Sequence, residues 1–465
     1  MSTVYDEVPY ANLPFAQARP SVLATVGALH GLTPPDPRSA RVLELGCGAG
    51  ANLAGIAAAS PDATALGVDL AASAIAEARA TATAAGLDNL RFQVGDVLAL
   101  TNGELGEFDY VIAHGLYSWV GEAVREAALA ACRSHLAPDG IAYLSYTAHP
   151  GGHLRQMLRE AAEWHACGLD GPVARAERAR ELFGLLDRIE ESDGPSFYGG
   201  VLAEELHALS TAPEPLLVHD LLGAEYEPVW FKDFAAAAAG HGLSYVADAI
   251  PASSRRPAWT DAVDAFVSEA AGEDRVAREQ YFDLLVLRRF RNSLLCRDEQ
   301  RPSRELDRAA VQRLLVDADA QVEHAPEPLR AALAEAPAPF GELRERLGTP
   351  AGELAETLVA AFDAGQVTFH AVPSPAARAA GERPLASGLA RIQARPGAIV
   401  TTLHNQLVRI SDEPTAVLLR LLDGTRDRAA ILAALHDRAG LELTASDLDA
   451  NLVELARLFL LEPPH

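Results

Sequence analysis

The first 150 residues alternate between short apolar runs and longer alanine-rich stretches. Each apolar run is bounded by glycine or polar residues, as buried strands are, and the stretches between them have helical periodicity. This order of strand and helix predicts a parallel sheet covered on both faces, with ligands held at the carboxyl ends of the strands. The predicted strands begin at Val42 and cover residues 64–70, 90–96, 108–115 and 140–147, and two of the helices cover residues 72–86 and 122–136.

The first run ends in the sequence LELGCGAGANL, in which Glu44 stands two places before the first of three glycines. Glycines let the backbone approach a ligand closely, and the helix that follows offers unpaired N–H groups and the positive end of its dipole. The spacing Gly-x-Gly-x-Gly is tighter than the dinucleotide pattern Gly-x-Gly-x-x-Gly. We therefore predict the S-adenosylmethionine loop of a class I methyltransferase rather than a dinucleotide site.

The next two strand ends carry carboxylates that suit the same cofactor. Asp69 ends the second run, where it can accept both ribose hydroxyls, and Asp96 ends the third, where it can bond the adenine amino group. Agreement among several strand ends is stronger than one motif alone. The cofactor-binding residues predicted from these runs are Glu44, Gly46, Cys47, Gly48, Gly50, Asn52, Asp69, Leu70, Asp96, Val97 and His114.

The chain beyond residue 150 delays the completion of this sheet. Helical periodicity fills residues 154–209, a helix follows at 230–242, and apolar runs at 243–250 and 290–297 supply a sixth and a seventh strand. We therefore expect a cofactor-binding core at 38–153, an inserted helical cap at 154–225, and completion of the core at 226–300. Residues 1–37 are either a lid over the cofactor or a structural strap.

The last third of the chain predicts two winged-helix-like α+β domains, at 301–375 and 385–465. A linker rich in Pro, Ala and Arg separates them at 373–384. Such domains often bind DNA, but the helix predicted at 446–458 carries Asp447, Asp449 and Glu454, which would repel phosphate. We expect these domains to bind a protein or peptide. The fold class is thus α/β, a Rossmann-like methyltransferase core with a helical cap, followed by α+β domains.

Composition narrows the functional classes. The 465 residues carry a formal charge of −25, which argues against nucleic acid and favours a cationic partner, although ordinary acidic solubility is the simpler explanation. No apolar stretch is long enough to span a bilayer, so we expect a cytoplasmic protein. The four cysteines lie far apart, so we expect buried thiols, no disulfides and no metal site.

Longer segments give a family resemblance. The runs YDEVPYANLPFAQARP, RVLELGCGAGANL, FDYVIAHGLYSWV and LSYTAHPGGH, continued by EYEPVWFKDFAAAAAGHGL and DGTRDRAAIL, cover nearly the whole chain. With them the chain resembles bacterial methyltransferases that carry a methyltransferase regulatory domain, a group that includes protein-lysine methyltransferases acting on an outer-membrane protein. Tyr10 and Gln17 match the cofactor-contacting N-terminal run. Only family analogy favours a homodimer.

The resemblance implies methyl transfer to an amine, with lysine as the leading acceptor. Where relatives usually have Asn-Thr-Tyr-Pro-Gly-Trp after strand five, this chain has Thr147, Ala148, His149 and Gly152 at the variable places, which are where the acceptor should lie. Small-molecule or ribosomal-peptide methylation, and a non-catalytic S-adenosylmethionine sensor, are the alternatives. Removal of residues 301–465 is expected to spare cofactor binding and to impair substrate use.

The acceptor site is predicted at the ends of strands four and five. There we expect hydroxyl groups to orient the acceptor, a histidine to act as base, and aromatic rings to contact the substrate, either by packing or as a cation–π cage. The predicted hydroxyl groups are those of Tyr117 and Tyr146, the base is His149 or His153, and the substrate-binding residues are Tyr5, Tyr117 and Trp119.

Overall fold

The computed structural model describes Val8 and residues 12–192, 199–249, 260–319, 321–334 and 336–463. A seven-stranded sheet lies at its centre in the order β3-β2-β1-β4-β5-β7-β6. Strands β1 to β5 are parallel, whereas β7 is antiparallel to both of its neighbours. The strands are β1 Arg41–Leu45, β2 Thr64–Asp69, β3 Leu90–Val94, β4 Phe108–Ala113, β5 Leu136–Thr147, β6 Leu243–Asp248 and β7 Phe290–Arg297.

Alternation of side chains along the strands gives the sheet two apolar faces. Val42 and Tyr110 belong to the cluster on one face, while the adjacent Leu43 and Val111 belong to the cluster on the other. Both faces are therefore covered, as the predicted fold class requires. The helices of this half are α1 Pro20–Leu29, α2 Ala51–Ala59, α3 Ala72–Ala85, α4 Glu122–His135, α5 Gly152–His165, α6 Pro172–Ser192, α7 Gly199–Ser210, α8 Phe231–Gly240, α9 Asp261–Ala271 and α10 Arg275–Val286.

Helices α5 to α7 form the cap and have an apolar core of their own. Leu158, Phe183 and Leu206 meet in it, and Val8 of the N-terminal segment packs among them. The cap is joined to the start of β7 by Glu205, which pairs with Arg155 of the cap and with Arg289, the residue before the strand. The prediction of four buried thiols is wrong at one position, because Cys167 lies in the exposed turn after α5.

An ion cluster around the buried Arg291 joins β7 to β6 and α10. The guanidinium of Arg291 contacts Asp283 at 2.9 Å, Asp248 at 3.1 Å and Glu279 at 3.0 Å, and it lies over the ring of Phe231. Arg291 and Asp283 are completely buried. A buried charge is tolerated only when it is paired and hydrogen-bonded, so these partners must stay together.

The C-terminal third contains two further units, and the second has the predicted winged-helix character. In the first unit the strand order is β10-β8-β9, and in the second β11 and β12 form a hairpin. The remaining elements are α11 Arg308–Val311, β8 Leu315–Ala318, α12 Glu327–Leu333, β9 Ala338–Pro339, α13 Phe340–Leu347, α14 Ala351–Asp363, β10 Val367–His370, α15 Gly388–Gln393, β11 Ile399–Thr401, β12 Leu407–Arg409, α16 Glu413–Leu421, α17 Arg428–Ala439 and α18 Ala445–Arg457.

The predicted linker between these units is tied to the second one. The N–H of Ala377 donates to the carbonyl of Leu461, and Ala376 and Ala377 are both buried. Leu29 of α1 packs into the core of the first unit, so this unit is fixed to the N-terminal half. Across the described ranges, no helix combines the length and the apolar composition needed to cross a bilayer.

The Arg291 cluster gives a stability prediction. Arg291→Met should lower the free energy of unfolding by about 3–5 kcal/mol, because Asp283 and Asp248 would remain as buried carboxylates without their cation. Urea denaturation measures the change. Arg38→Met removes an exposed pair with Asp36 and should cost less than about 1 kcal/mol. Equal urea midpoints for the two variants would show that the cluster does not support the sheet.

Candidate active site

A cleft of about 1760 Å³ lies at the carboxyl ends of the central strands. Four parts of the chain line it: the N-terminal segment through Asn12 and Phe15, the core loops, the cap through Glu205, and the C-terminal unit through Ile392. This position matches the general rule for ligand sites in open α/β sheets. The cleft is therefore the candidate site for both cofactor and acceptor.

The glycine loop leaves room for a ligand at Gly48. Its φ is +53°, and a Cβ built on it would meet no atom within 4 Å, so this backbone faces open space. Asp69 holds the loop, since one carboxylate oxygen accepts the Gly48 N–H at 2.8 Å and the other accepts the Ala71 N–H at 2.8 Å. Each oxygen keeps a second lone pair, which suits the two hydroxyls of a ribose.

An apolar surface with an acidic edge follows the Asp69 position. Leu70 is 64% exposed although it lies in the cleft lining, and Val97 lies there as well. Asp96 accepts the Leu98 N–H through one oxygen at 2.9 Å and also lines the cleft. Two apolar side chains beside a carboxylate provide what an adenine needs, stacking on its faces and an acceptor for its amino group.

One carboxylate oxygen of Glu44 receives no hydrogen bond from the described residues. Its Oε1 accepts from Asn52 Nδ2 at 2.8 Å, whereas Oε2 is buried without a hydrogen-bond partner among the described residues. Burial raises the pKa of Glu44 to about 8. An orphaned carboxylate in a cleft suits a cationic ligand, and S-adenosylmethionine carries both an ammonium and a sulfonium charge. The residues present therefore fit this cofactor.

His114 occupies the other side of the cleft, at the end of β4. Its Nδ1 lies 2.8 Å from the Tyr143 hydroxyl, and that hydroxyl donates to Asn292 Oδ1 at 2.6 Å. A phenol has one hydrogen, so Nδ1 must be the donor to Tyr143, and this pattern assigns a lone pair to Nε2. Phe15 stacks on the imidazole at 3.5 Å. Burial lowers the pKa of His114 to about 3, so the ring is neutral.

Comparison with known proteins agrees with this geometry. Residues 42–140 match the family model described as methyltransferase domain, residues 213–297 match the predicted methyltransferase regulatory domain, and residues 382–454 match the PKMT C-terminal winged helix domain. The chain belongs to the methyltransferases that carry a regulatory domain. It is an S-adenosylmethionine-dependent class I methyltransferase of the PKMT family.

Three similar proteins are rickettsial. This methyltransferase is 33% identical over 308 residues to an uncharacterized protein of Rickettsia prowazekii, covering 65% of the chain and 54% of that protein. It is 34% identical to a second uncharacterized protein of the same organism, covering 50% of the chain and 91% of that protein. The chain thus spans about half the length of the first relative. The structure of PKMT2 from Rickettsia typhi in complex with AdoHcy matches with 25% identity and a TM-score of 0.82, covering 97% of this chain and 100% of that one.

Most of the residues predicted to bind the cofactor come together in the cleft. Gly50 lies beneath the loop, where a Cβ would collide with Phe92, and Gln17 bonds Tyr143 behind His114. Tyr5 and Tyr10 lie outside the described residues. The predicted residues in the cleft lining are Glu44, Gly46, Cys47, Gly48, Asn52, Asp69, Leu70, Asp96, Val97, His114 and Trp119.

The structure does not bring the predicted catalytic tyrosines to the cleft lining. The rings of Tyr117, Tyr146 and Phe234 pack against one another in the buried core, with the two tyrosine ring centroids 5.9 Å apart, and the Tyr146 hydroxyl bonds Ser293 at 3.0 Å. Tyr117 follows the end of β4 and Tyr146 is the last residue but one of β5, but both side chains pack into the core. In this arrangement neither residue is among those that line the cleft.

The predicted histidine bases form a pair beside the cleft. His149 and His153 stack at 3.8 Å, and Trp230 covers His149 at 5.1 Å. Burial and the neighbouring His153 lower the pKa of His149. Neither histidine is among the residues that line the cleft, although Gly151 and Gly152 between them are.

Sequence reasoning missed three contributors to the site. Asn12 accepts the Ala51 N–H at 2.9 Å, Phe15 stacks on His114, and Phe290 lines the acceptor side. The first two lie in the run YANLPF, so its proline- and aromatic-rich composition was the available signal. No signal in the sequence marked Phe290, because this residue begins an ordinary apolar strand.

Asp69 supports both the loop and the ribose position. Asp69→Ala should weaken S-adenosylhomocysteine binding at least about 100-fold, since it removes two loop hydrogen bonds and the ribose acceptor. Isothermal titration calorimetry measures the affinity. Asp62→Ala, in the exposed turn before the same strand, is the matched control and should bind normally. Unchanged affinity in Asp69→Ala would refute this assignment of the cofactor.

The pKa of Glu44 gives a pH prediction. A cationic cofactor stabilises the ionised carboxylate, so binding lowers a pKa that burial had raised to about 8. Affinity for S-adenosylmethionine should therefore rise as the pH rises from 6 to 8, by up to about tenfold per pH unit.

Glu44→Gln should abolish this slope and bind weakly at pH 8, because the amide cannot ionise. Glu77→Gln removes a charge from the exposed rim of the same cleft and should keep the slope. A pH-independent affinity in the unaltered protein, measured by calorimetry at several pH values, would contradict the role of Glu44.

Proposed function

We propose that this methyltransferase transfers the methyl group to the side-chain amine of a lysine in a protein or peptide. The main support for this proposal is the state of His114. Its imidazole is neutral, and its unprotonated Nε2 lies in an aromatic part of the cleft. Such an acceptor can hold one N–H of an uncharged amine and leave the nitrogen lone pair free for attack.

S-adenosylmethionine supplies an electrophilic methyl group on a sulfonium. The new bond would join the amine nitrogen to the methyl carbon as the carbon–sulfur bond breaks, which would release neutral S-adenosylhomocysteine and leave the positive charge on the methylated nitrogen. Lysine is charged near neutral pH, so it must lose a proton before attack. Because its pKa is lowered to about 3, His114 is a poor proton carrier. We propose that it orients the acceptor amine instead. Solvent takes the proton as the amine enters.

The acceptor is proposed to lie in the part of the cleft around His114, which we call the acceptor side. The residues that line this side exclude water and favour an amine. Trp119 and Phe290 line this side with Phe15, and aromatic faces attract alkylammonium groups. Asp220 and Glu225 add carboxylates from the end of the cap. These groups support a cationic acceptor, in keeping with the charge of −25 on the whole chain.

The size of the cleft supports a large acceptor. A volume of about 1760 Å³ exceeds the roughly 300–1,000 Å³ of ordinary small-molecule sites. Two structural neighbours carry the name PKMT2, and the C-terminal unit matches a winged helix domain of PKMT.

Radiolabelled S-adenosylmethionine with fractionated lysate of the source cell tests this proposal. Label in a discrete protein band, recovered as methyl-lysine after acid hydrolysis, is the expected result. Lys232 is the sole lysine of the chain, so self-labelling of the enzyme is easy to recognise. Label confined to small molecules would overturn the lysine proposal and move the enzyme into biosynthesis.

His114→Phe tests the orienting group. The phenyl ring keeps the stacking on Phe15 but has no lone pair, so kcat should fall about 100-fold while S-adenosylhomocysteine affinity stays within about twofold. His436→Phe, on exposed α17, is the control.

In the unaltered enzyme kcat/KM should rise with pH from 6 to 9 without an inflection near 6.5. An inflection there would show that a histidine accepts the proton.

A further inference from the structure

The hairpin between β11 and β12 reaches from the C-terminal unit into the cofactor-binding core. Asn405 at its tip is 1% exposed and has a φ of +54°, a conformation that asparagine tolerates better than most residues. The turn is held by Thr402, whose hydroxyl accepts the N–H groups of His404 and Gln406 at 3.1 Å. A rigid turn therefore presents one buried amide to the core.

That amide bonds directly to Asn52 in the first turn of α2, next to the glycine loop. Asn405 Nδ2 donates to Asn52 Oδ1 at 3.0 Å and to the Asn52 carbonyl at 3.2 Å. Asn52 Oδ1 also accepts the Phe15 N–H at 3.0 Å, and Asn52 Nδ2 donates to Glu44 Oε1 at 2.8 Å. Two donors on its oxygen fix the Asn52 amide, so its nitrogen must face Glu44.

The core is shaped to receive this hairpin. A Cβ on Gly55 would lie 1.7 Å from Asn405 Oδ1 and 3.0 Å from a methyl carbon of Thr401. Beside it, Leu389 of α15 is buried in the same apolar cluster as Leu53 and Ile56 of α2. Ile392 and Gln393 of α15 line the cleft itself. The C-terminal unit is thus part of the wall of the cofactor site.

We propose that Asn405 is a positioning residue for the cofactor, acting through Asn52 on Glu44. With Asn52 fixed, Glu44 Oε1 is engaged and the unpaired Oε2 is the oxygen left for the cationic end of the cofactor. The C-terminal unit then supports cofactor binding as well as any binding of a partner. This reverses the expectation that residues 301–465 are dispensable for the cofactor. The proposal rests on cofactor binding in the cleft and is independent of the lysine acceptor.

The test uses the full-length chain and calorimetric binding of S-adenosylhomocysteine, which needs no acceptor. Asn405→Gly suits the left-handed turn and removes only the amide, so it should fold normally and bind about 5- to 10-fold more weakly, the effect of one lost hydrogen bond to a buried polar network. Gln406→Ala, which removes the neighbouring exposed amide, is the matched control with unchanged affinity.

A double-mutant cycle separates positioning from a general loss of structure. If Asn405 acts through Asn52, then Asn405→Gly should have no further effect on affinity in the Asn52→Ala background. The pH dependence of binding should also flatten in Asn405→Gly, because Glu44 is no longer held in place. Asn405→Asp, which turns a donor into an acceptor facing Asn52 Oδ1, should weaken binding at least as much.

Three results would overturn the proposal. They are normal affinity in Asn405→Gly, additive losses in the double mutant, and equal losses in Asn405→Gly and Gln406→Ala. Failure of the unaltered protein to bind S-adenosylhomocysteine would instead contradict the cofactor assignment. Binding without methylation of any lysine would leave this inference intact while refuting the proposed acceptor.

Discussion

A buried positive charge at Arg291 constrains the centre of the molecule. Strand β7 runs antiparallel between β5 and β6. The guanidinium of Arg291 on this strand pairs with Asp248 on β6 and with Asp283 on α10. The cost of separating these ions fixes the register of β7. Phe290, the neighbour of Arg291, is thereby held opposite Thr147, where it forms part of the cleft wall. The Arg291 ion cluster therefore determines where Phe290 lies in the wall of the cleft.

Much of the fold could be predicted because its signals are local. Apolar runs predicted the strands, and the glycine loop with Asp69 and Asp96 predicted the cofactor end, since each of these residues stands directly at the end of a recognisable strand. The delayed strands at 243–248 and 290–297 were also recognisable as apolar runs. The β11–β12 hairpin was missed because its strands have only three residues each.

The acceptor side was harder to predict, because a strand end shows which residues are near the cleft but not where they point. His114 and Tyr117 are three positions apart, yet His114 lines the cleft and Tyr117 packs into the core. The bond between Asn405 and Asn52 spans 353 positions, and it joins a residue of the glycine-loop motif to a residue that no motif marks. Contacts of this kind depend on tertiary packing, which periodicity does not report.

Gly55 is an inconspicuous member of an alanine-rich helix, yet the space it leaves admits the hairpin. One added methyl group there would occupy the position of the Asn405 amide. The close contact between the hairpin tip and α2 thus requires a residue without a side chain at this position. In other chains of this architecture, glycine at this position would be a sequence marker for the docked hairpin, and a larger residue would indicate a different junction between the two halves.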